Sequence, residues 1–126
     1  MNTHFIATSP TQHAGHAAEL RAARLLASHG LHHVAANWRC RGGELDLVML
    51  DHGTLVFVEV RARRNPNYGG AAASVDARKQ RRLAHAARAF IATHPEHAAR
   101  VARFDVVAID GAAEPQWLQS AFDTPG

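Results

Sequence analysis

The apolar positions of the chain alternate between a helical and a strand period, and the changes of period mark its elements. Ala18, Ala22, Leu25 and Leu26 recur at helical spacing. Ser9 suits an N-cap, Pro10 a first turn and Gly30 a stop, so the pattern predicts a helix over 11–29. Leu31–Trp38 reads as a strand and Arg39–Gly43 as a loop. Residues 44–50 and 55–62 read as two apolar strands around the turn Asp51–Thr54, and Asn65–Ala73 is a Gly/Pro-punctuated loop. A second helix, capped by Ser74 or Asp76, carries the stripe Leu83, Ala87, Phe90 and Ile91 until His94–His97 breaks it. Phe104–Asp110 is a strand of the buried type, and Trp117, Leu118 and Phe122 read as a last strand or turn. The order α-β-β-β-α-β describes a single α/β domain over 1–126, core about 10–122, with a mixed central sheet flanked by helices.

The turn decides what the two central strands bring together. His52 and Gly53 suit a two-residue tip, because the second tip position requires positive φ. Asp51 then faces Thr54, Leu50 faces Leu55, Val48 faces Phe57, Asp46 faces Glu59 and Glu44 faces Arg61. Side chains alternate along a strand, so Glu44, Asp46, Glu59 and Arg61 share one face at the strand ends. Opposed carboxylates repel, and each is costly to bury alone, so a positive charge has to offset them. Spacing alone leaves two sources open: a salt-bridge network built on Arg61, or a divalent cation such as Mg²⁺, which takes one or two carboxylates and keeps several waters.

Charge changes the picture next. The 126 residues carry a net charge of +3, with 14 Lys and Arg of which only Lys79 is lysine. Eight of the 14 are Arg61, Arg63, Arg64, Arg78, Lys79, Arg81, Arg82 and Arg88, and the segment containing them holds one acid, Asp76. Such a concentration suits a polyanion such as nucleic acid, and it equally suits a solvated basic surface. No apolar run is long enough to span a bilayer, and no secretory signal stands at the N-terminus. One cysteine, Cys40, admits no internal disulfide, and these features together point to the cytoplasm. His29, His32, His33, His94 and His97 invite a zinc reading, which a single cysteine supports poorly, and these histidines read mainly as surface residues.

GGELDLV, FVEVRAR, YGGAAASVDARKQRRL and RFDVVAID, with Gly15, Glu19 and the NWR of Asn37–Arg39, resemble the proteobacterial YraN family of small endonuclease-like proteins. That family resembles the restriction-endonuclease-like superfamily, whose metal site follows (E)…D…(D/E)-x-K. The resemblance implies an Mg²⁺- or Mn²⁺-dependent nuclease acting on DNA, including branched or processing intermediates. By the same resemblance Glu19, Asp46 and Glu59 are metal ligands, with the Val60 backbone carbonyl as a further one. Arg61 stands where the superfamily has lysine. Its fork of donors can stabilise phosphate charge, but it is a poor general base. This departure keeps a second reading open, a nucleic-acid-binding module that retains the fold and turns over weakly or not at all. Superfamily members can recruit a lysine from the following helix, which gives Lys79 two readings: it does the missing lysine's work, or it is one of several phosphate-binding cations. Arg63, Arg64, Arg78, Arg81, Arg82 and Arg88 would grip the backbone, Tyr68 would stack on a base or pack its loop, and Glu44 would pair with Arg61. The resemblance also carries the homodimer common among such nucleases, since cutting two strands needs two sites.

Overall fold

A computed structural model describes residues 10–63, 75–111 and 113–123, the side chains of residues 10–15 and 63 excepted. The chain runs α1 (Pro10–Ser28), β1 (His32–Cys40), β2 (Gly43–Asp51), β3 (Thr54–Arg63), α2 (Ala77–Thr93), a 3₁₀ turn (Pro95–His97), β4 (Ala102–Asp110) and β5 (Gln116–Phe122). The five strands form one sheet in the order β1-β2-β3-β4-β5. β3 and β4 are parallel and the other neighbours antiparallel, so α2 is the crossover of the one parallel pair. No helix among the described residues is long and apolar enough to cross a membrane.

Both faces of the sheet are covered. On one side α1 lays Ala18, Ala22 and Leu26 over Leu47, Met49, Val56, Val58, Val107 and Ile109. On the other, α2 lays Leu83, Ala84, Ala87 and Phe90 over Val48, Leu55, Phe57, Phe104 and Val106. Coverage on both sides is why β3 and β4 read as nearly continuous apolar runs. Asp76 caps α2 by accepting the Lys79 N–H at 2.9 Å, whereas Ser74 lies outside the described residues. Phe90 packs edge-on against Trp38 and Phe57, at centroid distances of 5.3 and 6.0 Å.

The β2–β3 turn is as the sequence predicts: His52 and Gly53 both have positive φ, and Asp51 pairs with Thr54. The segment Arg39–Gly43 is not a loop. β1 runs on to Cys40, Cys40 pairs with Gly43, and Arg41-Gly42 is a second two-residue turn in which Gly42 has φ 87°. The tail makes a full strand, β5, whose ladder with β4 is interrupted between Phe104 and Val106. At that interruption Asp105 is fully buried. It accepts bonds from Arg103, from Trp117 Nε1 and from the Ser120 N–H, while Arg103 also reaches Asp51 at 2.9 Å.

Candidate metal centre

The site forms where the regular sheet gives way. β2 pairs with β3 from Asp51↔Thr54 to Leu47↔Val58, and one further step of that register sets Asp46 against Glu59. There the backbone ladder is replaced by a side chain: Asp46 Oδ2 accepts the Val60 N–H at 2.9 Å. On the other side of β2 the pairing passes from Trp38↔Leu45 to Ala36↔Leu47, leaving Asn37 and Asp46 outside it. Asn37 has φ 53°, a left-handed conformation that is rare inside a strand and costs about 1 kcal/mol or more.

The pleat of β2 slips at the same point. Leu45 packs on the α2 side, while Leu47 and Met49 pack on the α1 side. Residues two apart on a regular strand share a face, so the alternation breaks at Asp46. Gly43 shows why Leu45 is drawn to α2. A Cβ on Gly43 would stand 3.0 Å from both Ala86 Cβ and the Arg82 carbonyl, so only glycine lets the strand end lie so close to the helix. His85 of α2 fastens the neighbouring turn by a 2.9 Å bond to the Arg41 carbonyl.

The slip changes the partners expected from an unbroken pleat. Glu44 forms its ion pair with Arg39, its cross-strand neighbour on β1, at 3.5 Å, and its charge acts on Glu19 of α1. The expectation that Glu44 shares a face with Glu59 and pairs with Arg61 is corrected accordingly. Arg61 Nη1 lies 3.3 Å from Glu59 Oε2, two residues along its own strand. Lys79 Nζ reaches the same oxygen at 3.4 Å from the first turn of α2. Val60 enters the site through its N–H.

Asp46 is therefore the hinge of an acid cluster, its charge acting on Glu19 on one side and on Glu59 on the other. Burial and the charge of Asp46 push the Glu59 carboxyl up to about 8, against the pull of Lys79 and Arg61. Burial and Asp46 likewise push Glu19 up to about 7, and a hydrogen bond from Asn37 partly offsets them. Both carboxyls therefore hold a proton more tightly than an ordinary glutamate does.

The donor chemistry fits a hard divalent cation held by two carboxylates with water completing its shell. It does not make a closed cage: among the described residues, no three His, Cys, Asp or Glu side chains are arranged to hold one ion. Among the described residues, the five histidines weighed for zinc form no metal-holding group. His29, His32 and His33 are exposed, His94 stacks on Phe90 at 3.8 Å, and His97 is buried and accepts from Arg100 Nε at 3.0 Å. The last two depart from the surface placement expected of them.

Arg78, Arg81, Arg82, His85 and Arg88 form the exposed stripe of α2, and Arg39 and Arg41 extend it along the β1–β2 hairpin. The Arg63 side chain, Arg64 and the Tyr68 loop lie outside the described residues. Sequence reasoning quotes Asn37 within NWR but gives it no role at the site. It also misses Arg39 and Arg41, whose placement depends on a hairpin read there as a loop.

The model of the uncharacterised protein family UPF0102 matches residues 18–109. A UPF0102 protein of Pseudomonas putida strain W619 is 54% identical over 119 residues, covering 91% of this chain and 96% of its own. A UPF0102 protein of Alcanivorax borkumensis is 50% identical over 115 residues, covering 88% and 92%.

Proposed function

The chain belongs to the UPF0102 family, and we propose that it is a metal-dependent nuclease hydrolysing phosphodiester bonds in DNA. The observation that carries this reading is the junction at Asp46. Asp46 of β2 acts there on Glu19 of α1 and on Glu59 of β3, and a lysine and an arginine from α2 and β3 stand against Glu59. The resemblance to restriction-endonuclease-like proteins implies this same set of elements.

A bound Mg²⁺ or Mn²⁺ would neutralise charge on the scissile phosphate and lower the pKa of a bound water. Asp46 and Glu59 would hold it, with Glu19 acting directly or through water. The chain's own groups have distinct tasks. The Val60 N–H fixes one oxygen of Asp46, and the other would face the ion. Glu59 would have to give up its proton to hold the cation. Lys79 and Arg61, both within 3.4 Å of Glu59, would meet a phosphate oxygen and the charge that grows on it. The arginines of α2 grip the backbone without reading sequence.

One observation favours the second reading, a binding module with little turnover: Lys79 and Arg61 already offset Glu59, and among the described residues no three ligands converge. A cleavage assay separates the two. Wild-type protein that nicks or cuts DNA with Mn²⁺, and loses this in Asp46→Ala and Glu59→Ala, supports the nuclease. Wild-type protein that binds DNA yet leaves single-stranded, duplex and branched forms intact with both Mg²⁺ and Mn²⁺ supports the module.

A further inference from the structure

A pocket of about 390 Å³ opens beside the acid cluster, lined by Val75, Gln80, Val106, Leu118, Gln119 and Phe122 among others. Its size falls within the range of sites that take small organic groups. Its place is set by the sheet. Val106 pairs with Glu59 across β3–β4, and Leu118 pairs with Val106 across β4–β5. The pocket therefore begins one strand spacing, about 5 Å, from the β3 backbone at Glu59, the residue that carries Lys79 and Arg61.

The lining is of two kinds. Val106 is buried, Leu118 is a large apolar residue left 36% exposed, and the Phe122 ring stacks on Phe104 at 4.9 Å. Against these stand two amides. Gln80 is anchored by donating to the Val75 carbonyl at 3.2 Å, which leaves its oxygen as an acceptor, and Gln119 is exposed on β5. Apolar walls with amide groups that both donate and accept match a flat heteroaromatic ring with polar edges. Lys79 and Arg61, held against Glu59 on the neighbouring strand, match the phosphate attached to such a ring.

We propose that this pocket receives an unpaired nucleobase of the strand whose phosphate lies against Lys79 and Arg61, so that the site selects single-stranded or frayed DNA over intact duplex. A base within a duplex cannot enter without leaving its stack, at a cost of a few kcal/mol, whereas an unpaired base enters freely. Because amides can serve any base edge, the selection is for the unpaired state and not for base identity. The inference rests on the nucleic-acid reading of the adjacent site, and does not require that the site cut.

The test is equilibrium binding by fluorescence anisotropy in EDTA, where no cleavage occurs. The probes are a DNA hexanucleotide, its fully abasic counterpart of equal backbone charge, and a short duplex. Wild-type protein is expected to bind the base-bearing strand roughly tenfold more tightly than the abasic one. Leu118→Ser, at a partly exposed position, is expected to remove most of that difference while leaving the abasic and duplex affinities unchanged. Equal affinity of wild type for both single strands, or an equal loss on all three probes in Leu118→Ser, overturns the pocket. Binding in EDTA is independent of turnover, so an inactive protein that still discriminates bases contradicts the nuclease alone.

Discussion

Asp46 Oδ2 takes the backbone N–H of Val60 at 2.9 Å, so a side chain completes the β2–β3 pairing where the two backbones part. The bond gives Asp46 two duties, one structural and one electrostatic, and substitutions can separate them. Asp46→Asn keeps an oxygen acceptor for Val60 and removes the charge. Its stability is expected to stay near wild type, while Mn²⁺-dependent cleavage disappears. Asp46→Ala leaves the half-buried Val60 N–H without its partner and is expected to lose about 1–3 kcal/mol in urea unfolding. Cleavage retained in Asp46→Asn counts against the ligand role.

Glu59 and Glu19 tie stability to pH. Each carboxyl keeps its proton in the folded state above its ordinary value of 4.5, to about 8 for Glu59 and about 7 for Glu19. Across that window the unfolded chain binds fewer protons than the folded one, so stability falls as pH rises from about 4.5 to about 8. Most of the effect belongs to Glu59, whose side chain is only 4% exposed. Thermal melts at pH 5 and pH 8 are expected to show a lower Tm at pH 8. Glu59→Gln, neutral at both, flattens the dependence. Mn²⁺, which needs ionised ligands, is expected to raise the pH 8 value more than the pH 5 value.

Lys79 sits 3.4 Å from Glu59, although it belongs to a helix whose other cations are exposed. Lys79→Met keeps the aliphatic stem and removes the charge. In the nuclease account kcat falls by roughly 10²–10³, the loss typical of one oriented charge-stabilising donor. DNA affinity, spread over many arginines, changes little. A loss confined to affinity would place Lys79 among the backbone-gripping cations.

The exposed stripe of α2 is open to test by salt. Replacing Arg78, Arg81 and Arg82 with alanine is expected to weaken DNA binding and to make the plot of log K against log salt shallower by up to about 3. An unchanged slope would move the interface off α2.

Asn37 reports on the strain beside the site. Asn37→Gly relieves the left-handed backbone but removes the amide that lowers the Glu19 carboxyl, whereas Asn37→Ala keeps the strain and removes the amide. Asn37→Ala is expected to be about 1 kcal/mol less stable than Asn37→Gly in chemical unfolding. In both, the Glu19 carboxyl titrates higher than in the wild type by ¹³C NMR.

Much of this is legible in the residues because short-range rules govern it. Gly53 makes the hairpin tip, the tip sets the register, and the register brings Asp46 to Glu59. Both helices carry apolar stripes and end at recognisable signals. The slip at Asp46 is not legible, because it depends on three elements at once: Asn37 turned left-handed on β1, Gly43 drawn against α2, and the ladder ending at Leu47↔Val58. Strict alternation therefore assigns Glu44 to the wrong partner. The reach of Lys79 depends in the same way on how α2 docks, which no local pattern records. Asn37 itself stands in a strand whose burial scarcely alternates, so its special backbone leaves only a weak trace.

The most direct measurement is a crystal structure of the protein soaked in Mn²⁺ above pH 8, with an anomalous difference map. The account predicts an ion bound by the Asp46 and Glu59 carboxylates, with Lys79 and Arg61 turned from Glu59 toward solvent or a phosphate. A map without a peak between residues 46 and 59, with Lys79 still resting on Glu59, would contradict it.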